Sequence, residues 1–293
     1  MNPEIKQLQI NSSLQGVFWM IIAGAAFASS NVAVRMAADD MHPFVILFFR
    51  SAIGVLLLSH ILLGKNFNWY PRSQFNWHLL RGILQVTGLL CLYTAIAITP
   101  LATVIALAFI TPLFTSIGGI VFMSEPSRLN RWIAVFLGLC GALIIIRPGL
   151  GSVSIGILLV IGYTIQQAAL NLTAKKLTAY ENVSNIVAWM TLLSTPIALL
   201  PALFVWSWPD LWGWFLLFIN AACSTVAHLA TTQAYRMADI TIADPMIFFR
   251  LIAGAFLGYF FFAEIPDMWV WAGSAVIIVA ATLLSRDNFK PNI

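Results

Sequence analysis

Arg50 and Arg250 are the residues best placed to do chemistry. Each lies well inside an apolar run, within FFRSAIG and FFRLIAGAFLGY. An arginine near a bilayer centre costs at least ~2.5 kcal/mol on insertion scales, so it should face a water-filled cavity or a partner. Two guanidiniums can clamp a carboxylate or phosphate through paired N–H donors. The plainer alternative is that helix C-terminal carbonyls or a nearby acid neutralise each one, and that both merely tie helices together. Asp244 is the one acid expected within a helix. It precedes Arg250 by six residues, about 240° of turn, so the two do not share a helix face. It can bind a proton, pair with an arginine on another helix, or meet a ligand's ammonium group. It can equally be a helix-start acid favoured by the dipole.

Polar stripes accompany these charges. Tyr163, Gln167 and Asn171 recur every four residues, as do Asn220, Ser224 and His228, and so do Phe27, Asn31 and Arg35; Arg81 and Gln85 share the same spacing. Four-residue spacing puts each set on one helical face. Within lipid such a face must point at other helices or at a cavity. The candidate substrate-binding set is therefore Arg250, Arg50, Asn31, Gln85, Tyr163, Gln167, Asn171, His228 and Asp244. The alternative for the amides is interhelical glue, worth under ~1 kcal/mol each. Gln166, rotated about 100° from Gln167, reads as glue.

Other chemistries find no support. His42, His60, His78 and His228 are dispersed, and Cys91, Cys140 and Cys223 sit unpaired in apolar runs. No metalloprotease, hydrolase or nucleotide-loop motif is present. The sequence therefore predicts no enzyme, no cofactor and no metal. A net charge of +4, scattered along the chain, is too small for nucleic acid.

The elements that must position these residues follow from composition. Of 293 residues, 60% are hydrophobic and 9% charged. A soluble chain this apolar could not cover itself with polar surface, so the solvent is mostly lipid. About 20 apolar residues cross a bilayer core. Apolar runs broken by charged or Pro/Gly-rich punctuation predict an all-α polytopic membrane protein of ten transmembrane helices: 14–36, 42–64, 76–98, 101–123, 129–147, 153–174, 182–206, 211–235, 241–262 and 268–285. With a cytoplasmic N-terminus, eleven basic residues fall inside, Arg81 among them, and only Arg35 and Arg147 outside. That bias predicts an inner-membrane protein with both termini cytoplasmic.

The chain also repeats. An offset of 139 lays Ala95 on Ala234, Gly119 on Gly258, Glu125 on Glu264 and Trp132 on Trp271, and an offset of 140 lays Asn31 on Asn171 and Arg35 on Lys175. Residues 14–147 and 153–286 thus read as two copies of a five-helix unit. Five is odd, so the second copy enters from the opposite side. Inverted repeats with a site between them are the mark of secondary carriers. Glu125 and Glu264 would then lie on opposite membrane sides and cannot form a catalytic pair. Pro112, Pro196, Pro201 and Pro245 are expected to kink or hinge helices. The pairs Thr115/Gly119 and Gly254/Gly258 suggest close packing, within the chain or in a homodimer.

These features together resemble a known family. The stretches FFRSAIG around Arg50, YTAIAITPLATVIALAFITPLF with SEP after it, RWIAVFLGLCGALIIIRPG, and FFRLIAGAFLGYFFFAEIP are similar to those of the drug/metabolite transporter superfamily. The resemblance is to EamA-type carriers with two EamA repeats, including S-adenosylmethionine-uptake-like bacterial members. It covers about residues 15–286 and implies transport without naming a substrate. The reading joined to it is a secondary active transporter of a small organic metabolite, anionic or carboxylate-bearing, bound near the midplane. The alternatives are a larger aromatic or nucleoside-like solute, such as S-adenosylmethionine or a flavin, or export of an amino acid. From other classes, a channel would not require the inverted duplication, and an intramembrane enzyme would need a nucleophile–base pair or metal ligands. The expected partners are that small-molecule substrate, the lipid bilayer, a coupling proton or counter-substrate, and a homodimer mate.

The topology is testable. Cysteines placed at Lys65 and Asp210 should react with an impermeant maleimide from opposite sides of the membrane. Reaction of both from one side would sink the ten-helix orientation.

Overall fold

The structure, a computed structural model, describes residues 3–64, 67, 69, 74–108, 110–122, 129–146, 154–237, 249–263, 265 and 267–286. Among these residues all regular structure is helical. The segments are α1 (Pro3–Ala37), α2 (Pro43–Leu57), α3 (Ser59–Leu62), α4 (Phe75–Ile98), α5 (Leu101–Ala108), α6 (Thr111–Phe122), α7 (Leu129–Ile146), α8 (Ile155–Leu177), α9 (Val183–Leu203), α10 (Leu211–Met237), α11 (Phe249–Phe262) and α12 (Met268–Arg286).

Local sequence sets several helix starts. His42 precedes α2, and its Nδ1 accepts the Phe44 N–H at 3.3 Å, with Pro43 in the first turn. Proline suits that position because its missing N–H would be unpaired anyway. Ser154 Oγ accepts the Ile157 N–H at 3.4 Å before α8. Asp210 Oδ1 accepts the Gly213 N–H at 2.7 Å before α10. Each fills one of the orphan donors of a helix N-terminus.

The expectation of one unbroken helix per run is corrected at two places. The span 42–64 breaks at Leu58 into α2 and α3, and the span 101–123 breaks into α5 and α6. The second break, at Ile110, lies just before Pro112, which has no N–H to donate to the carbonyl four residues back. Pro196 and Pro201 are instead accommodated inside α9. Pro245, Glu125 and Glu264 lie outside the described residues.

The bundle has the polarity of a membrane protein. Phe204, Leu63 and Phe122 are 81–89% exposed, whereas Arg81, Gln85, His78 and Asn220 are no more than 3% exposed. Apolar groups outside and polar groups inside are stable only when lipid is the solvent. Among the described residues, five helical stretches are long and apolar enough to cross a membrane: Gln15–Ala37, Phe75–Ile98, Ile155–Leu177, Val183–Leu203 and Leu211–Met237. Shorter apolar helices pack among them.

The packing follows a definite scheme. α1 lies against α10 and α11, while α4 lies against α8 and α9. α2 packs on α9 and α10, α5 and α6 on α8, α11 on α5, and α7 on α12. Arg81, counted above with the cytoplasmic-side charges, is instead buried between α4 and α8. Its guanidinium donates to the Leu170 carbonyl at 2.7 Å and touches Met190 Sδ at 3.4 Å. Gln166 is the expected glue: it accepts a hydrogen bond from Thr87 Oγ1 and donates to the Gly162 carbonyl at 3.3 Å.

Small residues permit the closest approaches. A Cβ on Gly254 would strike Ile105 of α5, so this face of α11 is used within the chain. A Cβ on Gly273 of α12 would sit 2.5 Å from the Gly141 carbonyl oxygen of α7. By contrast, a Cβ on Gly162 would meet nothing within 4 Å. Gly273→Ala should therefore lose about 1–3 kcal/mol through overpacking. Gly162→Ala should be neutral or gain up to about 1 kcal/mol from helix propensity. Thermal unfolding of both variants in detergent checks the pair; equal effects would contradict the α7–α12 contact.

Candidate functional site

The polar stripes converge. One cavity is lined by Phe27, Ser30 and Asn31 of α1, Arg50 of α2, Gln85, Leu89, Leu92 and Tyr93 of α4, Tyr163 and Gln167 of α8, Ser224 and His228 of α10, and Arg250 of α11. Both halves of the chain contribute. The walls nearly touch, leaving ≈ 10 Å³ of free space, about what one water molecule needs.

The structure thus brings together Asn31, Arg50, Gln85, Tyr163, Gln167, His228 and Arg250 from the sequence-predicted set. Asn171 does not line the cavity. It sits one turn below, buried, and its Oδ1 accepts from Gln167 Nε2 at 3.0 Å. Asp244 lies outside the described residues. Ser30 and Tyr93 line the cavity but were not singled out from the sequence. Tyr93 carried a usable signal, because it falls eight residues after Gln85 on the same face of α4. Ser30 carried none, since serines in apolar helices are common.

Hydrogen bonds tie the walls across the bundle. Ser30 Oγ donates to Asn220 Oδ1 at 2.7 Å, and Tyr93 OH donates to the same oxygen at 3.2 Å. Gln85 Nε2 and His228 Nε2 lie 3.2 Å apart. The His228 ring meets the Phe27 ring edge-on, with centroids 5.2 Å apart. The Arg250 guanidinium lies over Phe27, 5.2 Å from the ring centroid. A ring face attracts a desolvated cation, which offsets part of the burial cost of this arginine.

Some donors in and beside the cavity are left over. Asn31 Nδ2, Arg50 Nε, Arg250 Nε and Asn220 Nδ2 are buried without a hydrogen-bond partner among the described residues. All four are donors. Neither Arg50 nor Arg250 forms an ion pair with a carboxylate among the described residues. The arrangement can therefore accept a group rich in lone pairs, above all an anionic one. No group of three or more His, Cys, Asp or Glu side chains able to hold a metal occurs among the described residues.

Comparison with known proteins follows this geometry. The EamA-like transporter family matches at residues 14–147 and again at 154–286. The riboflavin transporter of Vibrio cholerae is 31% identical, over 94% of this chain and 95% of that protein. The S-adenosylmethionine uptake transporter of Rickettsia bellii is 26% identical, over 97% and 95%. The pseudopaline exporter of Pseudomonas aeruginosa is 29% identical, over 92% and 96%. A solved crystal structure, 14% identical, superposes with a TM-score of 0.69 over 96% of this chain and 99% of that one, which establishes the shared fold. The chain belongs to the EamA-like transporter family and is a multi-pass membrane transporter of a small molecule, not an enzyme.

Proposed function

We propose that the protein is a secondary carrier of a small organic metabolite bearing a carboxylate or another anionic, acceptor-rich group. The cavity around Arg50 and Arg250 is its substrate site. Three unpartnered donors of cavity-lining residues carry this reading: Asn31 Nδ2, Arg50 Nε and Arg250 Nε. A buried donor left unpaired costs roughly 1–3 kcal/mol, so a ligand supplying acceptors gains what the empty cavity lacks. Asn31, Gln85, Tyr163, Gln167 and His228 shape the walls, and Asn171 orients Gln167. In this reading Asp244 serves a coupling proton, or a counter-substrate takes its place.

We further infer ten crossings arranged as two inverted five-helix repeats, 14–147 and 153–286, with both termini cytoplasmic in the inner membrane. The packing scheme supports the duplication. Exchanging each helix for its counterpart turns the α1–α10 contact into α8–α4, and the α1–α11 contact into α8–α5/α6. The α2–α9 and α7–α12 contacts map onto themselves. With five helices per unit, such an exchange requires an axis in the membrane plane, the arrangement that lets one site face two sides in turn. A homodimer is compatible with this scheme but would need a surface other than the Gly254 face.

A second reading has its own support. Phe27, Tyr93 and Tyr163 offer rings to a flat heteroaromatic solute, and relatives are named for riboflavin and S-adenosylmethionine. Flavin carbonyls would also satisfy donors.

Binding in detergent should be measured for a panel of carboxylates, riboflavin and S-adenosylmethionine, together with the melting temperature. Arg250→Ala should weaken binding of the preferred solute about tenfold or more, the loss of a charge-assisted hydrogen bond. Arg250→Lys keeps the charge but not the planar fork, and should restore little of it. Unchanged affinity in a well-folded Arg250→Ala protein would refute the assignment.

A further inference from the structure

Two cations near helix ends make the same contact in the two halves of the chain. Arg35, in the last turn of α1, donates through NH1 to the Ile96 carbonyl in the last turn of α4. Lys175, in the last turn of α8, donates through Nζ to the Tyr235 carbonyl in the last turn of α10, at 3.1 Å. Donor corresponds to donor at the 140-residue offset, and acceptor to acceptor at 139. Carbonyls in a last helical turn have no partner in their own helix, and the negative end of the helix dipole favours a cation there.

What the two contacts join gives them a role. α1 packs extensively on α10, and α4 on α8, whereas α1 touches α4 sparsely and α8 touches α10 sparsely. Each contact therefore crosses from the pair α1/α10 to the pair α4/α8. The cavity lies in that same seam, between Ser30 and His228 on one pair and Gln85 and Gln167 on the other.

The contacts also sit at opposite ends of the seam. α1 and α10 run antiparallel, because Phe27 meets His228 while the later Ser30 meets the earlier Asn220. Arg35 thus lies at the end of the pair where α10 begins, and Tyr235 at the end where α10 finishes. An open cleft of ≈ 560 Å³, lined by Trp19, His60, Asn185, Gln233 and Arg236, lies on the Tyr235 side of the cavity. With both contacts made, the cavity between them is contracted.

We propose that Arg35 and Lys175 are opposed gate latches: each holds one end of the seam shut, and each must release for the cavity to open to its side. Both latches lie near helix ends and are only partly buried, so water can replace the broken bond when a gate opens. The proposal rests on the alternating-access reading above and identifies the residues that set the balance between its two open states.

The test uses Ser30→Cys as a reporter in the cavity, on a background with Cys91, Cys140 and Cys223 replaced by alanine. An impermeant maleimide is applied from either side, using intact cells and inside-out vesicles. Arg35→Met should raise modification from the Arg35 side by about fivefold or more and lower it from the other, a shift typical of a coupled two-state equilibrium. Lys175→Met should do the reverse. Two folded variants that react like the parent from both sides overturn the latches while leaving the carrier reading intact. Shifts toward one and the same side overturn the latches together with the inverted arrangement. If a methionine variant does not fold, Arg35→Gln and Lys175→Gln are read in the same assay against the same outcomes.

Discussion

A polar group inside this bundle must find its partner in the protein, and the rest of the structure follows from that constraint. Lipid supplies neither donors nor acceptors, and a buried cation without a counterpart is costly. The chain answers with carbonyls and rings. Arg81 uses the Leu170 carbonyl, Arg35 the Ile96 carbonyl, Lys175 the Tyr235 carbonyl, and Arg250 the Phe27 ring. Three of these four contacts run between different helices through a backbone oxygen. Side-chain identity on one helix thereby fixes the position of the backbone of another.

The constraint also explains where the helices separate. α1 with α10, and α4 with α8, pack as broad pairs. The seam between the pairs collects the polar side chains that neither lipid nor an apolar contact would take. Ser30, Tyr93 and Asn220 share one hydrogen-bonded junction across it, and Gln85 meets His228. A seam held by a few polar contacts is easier to part than a face packed with methylenes, because each contact can be exchanged for water or a ligand. In a transporter the same interface must hold and then open, and a polar seam between apolar pairs can do both.

Much of this was legible in the sequence, for a physical reason. In an apolar chain the polar residues stand out, and a four-residue spacing assigns them to one face. Asn31, Gln85, Gln167 and His228 could be read that way, and Arg50 and Arg250 stood out by the cost of burying them. What was not legible depends on tertiary packing. Arg81 lies near the start of its apolar run and reads as an interfacial charge; only α8 lying against α4 shows it to be buried. Asn171 follows the stripe on α8 yet falls just beyond the cavity, where it is buried and accepts a hydrogen bond from Gln167. The break at Leu58 has no proline or glycine to announce it, unlike the break before Pro112.

The scaffold repeats, but the chemistry in its centre does not. At the 140-residue offset that aligns the caps His42 and Asn182, Arg50 corresponds to Met190; at the 139-residue offset, Arg250 corresponds to Thr111. Likewise Phe27 corresponds to Gln167, and His228 to Leu89. The latches at the helix ends, by contrast, repeat as cation and carbonyl in both halves. This division is what the proposed carrier mechanism requires. Two open states must be close in free energy if a substrate of modest affinity is to drive passage between them, since a ligand shifts an equilibrium only by its differential affinity. Matching gates built from matching contacts keep that difference small. Recognition has the opposite need where a solute lacks two-fold symmetry, and the proposed site, with guanidiniums on α2 and α11, would hold such a solute in one orientation. On the proposed reading, duplication accounts for the latches and the frame, and divergence at a few central positions accounts for substrate recognition.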